Sequence, residues 1–246
     1  MRDGNKESIS GQKRDTKWQK ELRVLGKSVV ADDLEWWRWR NQPWPEFLTE
    51  ARKYFAPYRD LIHSFPDAEQ EITQLFSRKH EKGERVRVWD ICGMADARSI
   101  GADETDSLTR VLPENHPLKQ EPDHTAGFRV FEADIFTKEA LDPLINRANE
   151  RGAPTLITFF PMGGFSYSGQ TEHPFAGRML AYQLHRALEA LAPGGHIYFQ
   201  NPYWGHPNNE DFNRLKKMVG RYGDLAPNES NRQFYRIIKF DQGNKP

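Results

Sequence analysis

The feature that most constrains the fold of this chain is an alternation of strand-like and helix-like segments after residue 85. Short runs rich in β-branched and aromatic residues are separated by segments of helical period. Such an alternation, with helices of about a dozen residues, is typical of βαβ units and a parallel sheet. The strand-like runs are 86–92, 128–135, 155–160, 196–199 and 233–240, and the helix-like segments are 138–151, 175–191 and 209–221.

We therefore predict an α/β fold with a mostly parallel sheet and helices on both faces. The last strand-like run, 233–240, has no clear helix-length connection before it and no helix after it. A strand without a crossover helix is not forced to run parallel to its neighbour. This strand could therefore enter the sheet antiparallel, at an edge.

The chain before the sheet divides into two further parts. Residues 1–20 are polar and charged, and such a composition cannot bury enough apolar surface to offset the entropy lost on ordering, so we predict a flexible tail. Residues 21–82 carry helical patterns and are predicted to form a cap of short helices, while 83–246 form the sheet domain. Prolines interrupt the cap at Pro43, Pro45, Pro57 and Pro66.

Composition narrows the classes of partner. The 35 basic and 35 acidic residues balance, so no overall field attracts nucleic acid or a membrane surface, and a small-molecule substrate is favoured. Arginines alternate with tryptophans in residues 36–44, a pattern that can bind nucleic acid, but we interpret these rings as packing within the cap. The chain has no apolar stretch long enough to cross a bilayer and no secretory signal, which predicts a cytoplasmic protein.

We predict no metal site. Cys92 is the only cysteine, so neither an internal disulfide nor a cysteine metal cluster can form. The histidines lack the helical spacing of four residues that places two zinc ligands on one face.

Two segments resemble those of a known enzyme family. Residues 191–197, LAPGGHI, connect a long helix to a strand through Pro-Gly-Gly, and residues 90–93, DICG, end a strand with an acid and a glycine turn. Over roughly residues 80–240 the chain resembles the class I, Rossmann-like methyltransferases that use S-adenosylmethionine. The turn is degenerate, because the family commonly has two or three glycines there and this chain has Gly93 followed by Ala95.

The resemblance implies that S-adenosyl-L-methionine binds at the carboxyl ends of the strands. The implied cofactor-binding residues lie in the first turn, at the end of the family's third strand, where an acid is beside the adenine, and at the end of the fourth strand. They are Asp90, Cys92 and Gly93, then Asp134 and Ile135, then Phe160.

The register between residues 94 and 127 has two alternatives. In the first, residues 99–104 form strand two, Asp103 is its ribose-binding acid, and helix A almost vanishes. In the second, residues 98–112 form helix A, and Asp134 itself ends strand two. Either alternative supplies a carboxylate, which can accept a hydrogen bond from a ribose hydroxyl or from the adenine amine.

Two loops are candidates for contact with the substrate. Phe165 and Tyr167 belong to a loop after the fourth strand that is rich in hydrogen-bonding groups. Asn201 and Tyr203 belong to the sequence NPYW after the fifth strand, which is similar to the Asn/Asp-Pro-Pro-aromatic signature of amino-directed methyltransferases but lacks its second proline. Ligands of open α/β sheets bind at the carboxyl ends of the strands, where both loops begin.

The resemblance predicts an enzyme that transfers a methyl group by in-line positioning. Because alignment of the reacting atoms supplies much of the rate in such reactions, no catalytic residue is named. The alternative is a noncatalytic methyltransferase-like protein that binds a ligand or a partner. The substrate and the oligomeric state are not determined by the sequence.

Removal of residues 1–20 should leave the stability of the protein nearly unchanged. The segment holds almost no apolar side chains, so its loss exposes little buried surface. Urea denaturation of the full chain and of the truncated chain should give free energies of unfolding that agree within about 0.5 kcal/mol. A loss of several kcal/mol would mean that the tail docks on the folded protein.

Overall fold

The computed structural model describes residues 68–92, 97–109, 127–159, 174–200, 210–227 and 234–241. The predicted tail and most of the predicted cap lie outside the described residues. In chain order the helices are α1 (Ala68–Glu81), α2 (Asp142–Arg151), α3 (Pro174–Ala190) and α4 (Glu210–Val219). The strands are β1 (Arg87–Ile91), β2 (Glu104–Thr109), β3 (Phe128–Glu132), β4 (Leu156–Phe159), β5 (His196–Gln200), β6 (Gly223–Pro227) and β7 (Phe234–Lys239).

The seven strands form one sheet in the order β3-β2-β1-β4-β5-β7-β6. The first five strands in this order, from β3 to β5, are joined by parallel pairings, whereas β7 pairs antiparallel with both β5 and β6. The predicted mostly parallel α/β sheet is therefore confirmed. The last strand is antiparallel but does not lie at an edge, because β6, which the sequence did not reveal, takes the edge position beside it.

Side chains alternate between the two faces of the sheet and form two cores. Trp89, Ile91 and Phe159 lie on one face in a core shared with α2, α3 and α4. Val88 and Tyr198 lie on the other face with apolar residues of α1. Helices thus cover both faces. Helix α1, which falls within the predicted cap, packs directly on the sheet, while the domain boundary at residue 82 stays a prediction.

Both predicted registers for strand two are wrong. Strand β2 begins at Glu104 and does not end there, and the parallel pairing of Arg87 with Glu104 places the starts of β1 and β2 side by side. Between β1 and β2 the described residues contain one 3₁₀ turn, Ala97–Ile100, where helix A was predicted. Asp134 follows β3 and not the second strand. The sequence of β2, ETDSLT, has too little apolar character to indicate a buried strand.

An arginine cluster explains how so polar a strand can be buried. Glu104 and Asp106 are both nearly inaccessible to solvent, and Arg147 of α2 donates from Nε to Asp106 Oδ1 at 2.7 Å. Arg85 donates to Glu104 Oε1 at 3.0 Å. Arg87 Nε also lies 3.4 Å from the other oxygen of Glu104. Buried carboxylates are tolerated only when they are paired in this way.

The cluster acts differently on the two carboxyl groups. Burial alone would raise the pKa of Glu104, but the hydrogen bond from Arg85 and the charges of Arg87, Arg147 and Arg151 together hold it below its ordinary value. For Asp106, burial is the larger effect, and its pKa is raised even though Arg147 favours the charged form.

The Pro-Gly-Gly junction joins the end of α3 to the start of β5, where backbone segments pack closely against each other. Gly194 has φ of +69°, a conformation that disfavours side chains with a Cβ. A Cβ at Gly195 would lie 2.8 Å from the carbonyl oxygens of both Ala192 and Thr155.

Lys239 Nζ of β7 donates to the carbonyls of Leu188, Glu189 and Leu191, at 3.0, 3.0 and 2.6 Å. These carbonyls at the end of the helix would otherwise lack partners within the helix.

Lys239→Met should destabilise the protein by about 1.5–3 kcal/mol, because it removes a charged donor from three helix-terminal carbonyls while keeping most of the apolar stem. Urea denaturation measures the change. Lys217→Met, at an exposed position in the last turn of α4, is the matched control and should change stability by less than about 0.5 kcal/mol. Equal effects of the two substitutions would contradict the capping role of Lys239.

Candidate functional site

The order of the strands locates a crevice in the sheet. From β1 the chain moves outward through β2 to β3 on one side, and from β4 it moves through β5 on the other side. The connections that leave β1 and β4 therefore diverge. In open α/β sheets ligands bind at such a switch point, outside the carboxyl ends of the strands. The candidate site is this edge of the sheet, where Cys92 follows β1 and Asp134 follows β3.

A side-chain hydrogen bond joins the two strands at the switch point. Asp90 and Thr158 are register partners in the pairing of β1 with β4, and Thr158 Oγ1 donates to Asp90 Oδ1 at 2.7 Å. Asp90 is 4% exposed and Thr158 is 1% exposed, so the contact is shielded from water. A hydrogen bond to a carboxylate is stronger than one between neutral groups, and shielding strengthens it further. The carboxylate is thereby held in a defined orientation, two residues before the turn that begins at Cys92.

Cys92 begins the turn that leaves β1 and has φ of +66°, which is rare for a residue with a side chain. Its backbone N–H donates to the carbonyl of Leu108 in β2 at 2.8 Å, so the turn is tied to the neighbouring strand. Burial raises the pKa of the Cys92 thiol, and the carboxylates of Asp90 and Asp134 raise it further. The group is therefore a neutral thiol at physiological pH and is not poised to act as a nucleophile.

Asp134 lies in a compact turn after β3. Its Oδ1 accepts a hydrogen bond from the backbone N–H of Phe136 at 3.1 Å, and its carbonyl accepts from the N–H and the hydroxyl of Thr137, both at 2.8 Å. Its second carboxylate oxygen, Oδ2, is buried and has no hydrogen-bond partner among the described residues. Since an unpaired buried acceptor is costly, this oxygen is suited to receive a donor from a ligand.

The structure brings some of the predicted site residues together and separates one from them. Asp90, Cys92, Asp134 and Ile135 all lie at the carboxyl ends of β1 and β3, with Ile135 half-buried against the core. Asp103 lies at the opposite, amino ends of the strands, just before β2. There its side chain accepts from Val86 N–H at 2.7 Å and contacts His80 at 2.9 Å. We therefore remove Asp103 from the candidate site. Outside the described residues lie Gly93, Phe160, Phe165, Tyr167, Asn201 and Tyr203.

Two residues of the site were not found from the sequence. Thr158 and Ser107 flank Asp90 on neighbouring strands, in the same row of the sheet. Thr158 belongs to an apolar strand in which a single Thr is ordinary, and Ser107 belongs to β2, whose sequence did not indicate a strand, so neither carried a signal. The row becomes visible only when the strand register is known.

Among the residues that the structure describes, no group of three or more His, Cys, Asp or Glu side chains is arranged to hold a metal ion. Within the same residues, no helix is long and apolar enough to cross a membrane.

No protein-family model and no curated protein matches the sequence. Solved structures similar to this chain include the MycE methyltransferase of the mycinamycin biosynthetic pathway in complex with Mg and SAH, with 14% identity, a TM-score of 0.44, and coverage of 71% of this chain and 50% of that one. The N-methyltransferase NodS from Bradyrhizobium japonicum has 14% identity, a TM-score of 0.37, and coverage of 70% and 97%. An O-methyltransferase family protein from Burkholderia thailandensis has 12% identity, a TM-score of 0.38, and coverage of 72% and 57%.

Thr158→Val should destabilise the protein by about 1–3 kcal/mol, because it keeps the shape of the side chain but takes a hydrogen-bond donor away from a buried carboxylate. Ser107→Ala is the matched comparison on the other side of Asp90. The Ser107 hydroxyl is buried without a hydrogen-bond partner among the described residues, so its removal should cost less than about 1 kcal/mol. Urea denaturation of both variants tests the difference, and a larger loss for Ser107→Ala would contradict it.

Proposed function

We propose that this protein is an S-adenosylmethionine-dependent methyltransferase. The observation that carries the proposal is the buried Oδ2 of Asp134, which has no hydrogen-bond partner within the described part of the chain and lies at the carboxyl ends of the strands of a mostly parallel sheet. The Pro-Gly-Gly entry into β5 and the acid-and-glycine sequence at the end of β1 support it, since both are segments in which the chain resembles that family. The fold alone would not be sufficient, because the same architecture hosts many functions.

The described residues fit the cofactor at two points. Asp134 supplies an acceptor that would pair with a ribose hydroxyl or with the adenine amine. Ile135, next in the chain, is half-buried and offers an apolar side chain beside it. The turn at Cys92 has the left-handed backbone conformation that glycine adopts most easily, although here it is carried by a cysteine.

When bound, S-adenosylmethionine would supply an activated methyl group on a sulfonium. The protein's own residues would bind and orient it. Asp90 and Thr158 would keep the β1 turn in place, and Asp134 and Ile135 would hold the nucleoside end. The neutral Cys92 thiol would line the turn without competing as a nucleophile. Positioning of this kind can supply a large share of the rate of a transfer reaction.

We further propose a small-molecule methyl acceptor and a cytoplasmic location. The even balance of acidic and basic residues supports the first, because a nucleic-acid substrate is normally met by a basic surface. Phe165, Tyr167, Asn201 and Tyr203 remain the proposed substrate contacts, and Gly93 and Phe160 remain proposed cofactor contacts.

S-adenosylhomocysteine should raise the melting temperature of the protein in a saturable way, because a ligand that binds only the native state stabilises it by mass action. At about 100 times its Kd the gain in the free energy of unfolding should be about 2.7 kcal/mol. Asp134→Asn should weaken binding roughly ten- to a hundredfold, since a hydrogen bond to a charged group is lost. Thermal melting and titration calorimetry measure the two effects.

Asp103→Asn is the control for loss of a carboxylate. Asp103 lies at the amino edge of the sheet, so its substitution should leave the ligand affinity unchanged even if it alters stability. No thermal shift at millimolar ligand would overturn the proposed function and favour a noncatalytic binding protein. Equal losses of affinity in the two variants would show that the ligand does not contact Asp134.

A further inference from the structure

Gln183 is a buried amide in the middle of α3. Its side chain is 0% exposed, in the core that α3 shares with the sheet. Its Nε2 donates to the carbonyl of Thr137 at 2.5 Å and to Met179 Sδ at 3.8 Å, and its Oε1 has no hydrogen-bond partner among the described residues. Burial of an amide with half of its hydrogen bonds unmade is costly, and an apolar side chain of the same length would avoid that cost. The contribution of Gln183 to stability therefore does not explain its presence.

The contact of Gln183 falls on the turn that carries Asp134. Thr137 donates both its N–H and its hydroxyl to the carbonyl of Asp134, which closes the turn, and the N–H of Phe136 holds one oxygen of the carboxylate. The turn is thus a rigid unit between β3 and α2. Gln183 attaches the last residue of this unit to a helix that belongs to the following βα segment.

Arg186 reinforces the attachment from the next turn of α3. It donates from Nη1 to the carbonyl of Lys138 at 2.8 Å and from Nη2 to Asp142 Oδ1 at 2.5 Å. Residues three apart lie on the same face of a helix, so Gln183 and Arg186 hold two successive carbonyls of the chain, those of Thr137 and Lys138. Gln183 forms the contact nearer to the carboxylate and is fully removed from solvent.

We propose that Gln183 is a positioning residue, which acts through Thr137 to fix the Asp134 carboxylate at the carboxyl edge of the sheet. The meaning of that carboxylate as a ligand contact rests on the proposed function, whereas the mechanical link does not. A site residue on a turn is held accurately only when its supporting contacts are themselves fixed by packing. The buried amide supplies such a support, because α3 is packed in the core and therefore restrains the turn to which Gln183 is bonded.

The mechanical link is tested first in the protein without ligand. Gln183→Met keeps the length of the side chain and removes the donor. Hydrogen exchange of the segment 134–138 should become roughly two- to tenfold faster, as expected for the loss of one net hydrogen bond that restrains local opening. Exchange in β5 should not change. His185→Gln is the matched control, since His185 is buried on the same helix but contacts Glu189 and Tyr222 instead of the turn.

The ligand arm is a double-mutant cycle with Asp134→Asn, followed by titration with S-adenosylhomocysteine. If Gln183 acts through the carboxylate, Gln183→Met should weaken binding roughly two- to tenfold in the parent chain and should have no further effect beside Asp134→Asn. A purely structural role would lower the affinity by the same factor in both backgrounds, and that result would overturn the proposal. Gln183→Leu repeats both arms with a different side chain in case the methionine variant does not fold.

The two arms separate failure of this inference from failure of the proposed function. If the parent chain does not bind S-adenosylhomocysteine, the proposed function fails and the exchange arm alone decides the role of Gln183. Faster exchange at 134–138 in the Gln183 variants would then still support the proposal that Gln183 positions the turn of Asp134. Unchanged exchange in both Gln183 variants would overturn it, whatever the ligand does.

Discussion

The parallel pairing of β1 with β4 is the contact on which the rest of the structure depends. Both strands are central. After β1 the chain continues to strands on one side of the pair, and after β4 it continues to strands on the other side, which creates the crevice at their carboxyl ends. The pair is apolar on one face, where Ile91 and Phe159 enter the larger core. On the other face it carries the hydrogen bond between Asp90 and Thr158. One pairing therefore sets the core, the position of the site and the orientation of its first acid.

The two edges of the sheet treat buried acids in opposite ways. At the amino edge, Glu104 and Asp106 are met by several arginines, so their negative charge is compensated within the protein. At the carboxyl edge, Asp134 accepts from a backbone amide, and its other oxygen is unpaired among the described residues. Compensated charge is what a structural acid requires. A buried acceptor without a partner is suited to receive a donor from a ligand, which is why we propose different roles for the acids at the two ends of the strands.

Helix α3 connects several parts of this arrangement. Its apolar residues form much of the larger core, its end is capped by Lys239, and its middle holds the turn of Asp134 through Gln183 and Arg186. The helix follows the segment in which we predicted the substrate loop. A rigid helix that contacts both the sheet and the turn after β3 gives the site a common frame, because packed interiors deform little.

The sequence by itself determined the elements whose signals are local. β1, β3, β4, β5 and β7, the helices α2 to α4 and the Pro-Gly-Gly junction follow from periodicity, β-branched content and turn residues. They place Asp90 near the end of one strand and Asp134 after another. Only the tertiary structure decided that the polar segment ETDSLT is β2, because the arginine that pairs with Asp106 lies 41 residues away. It likewise decided that Asp103 lies at the amino ends of the strands, and that Thr158 contacts Asp90 and Gln183 contacts the turn of Asp134. Such contacts join residues distant in the chain and leave no trace in local pattern.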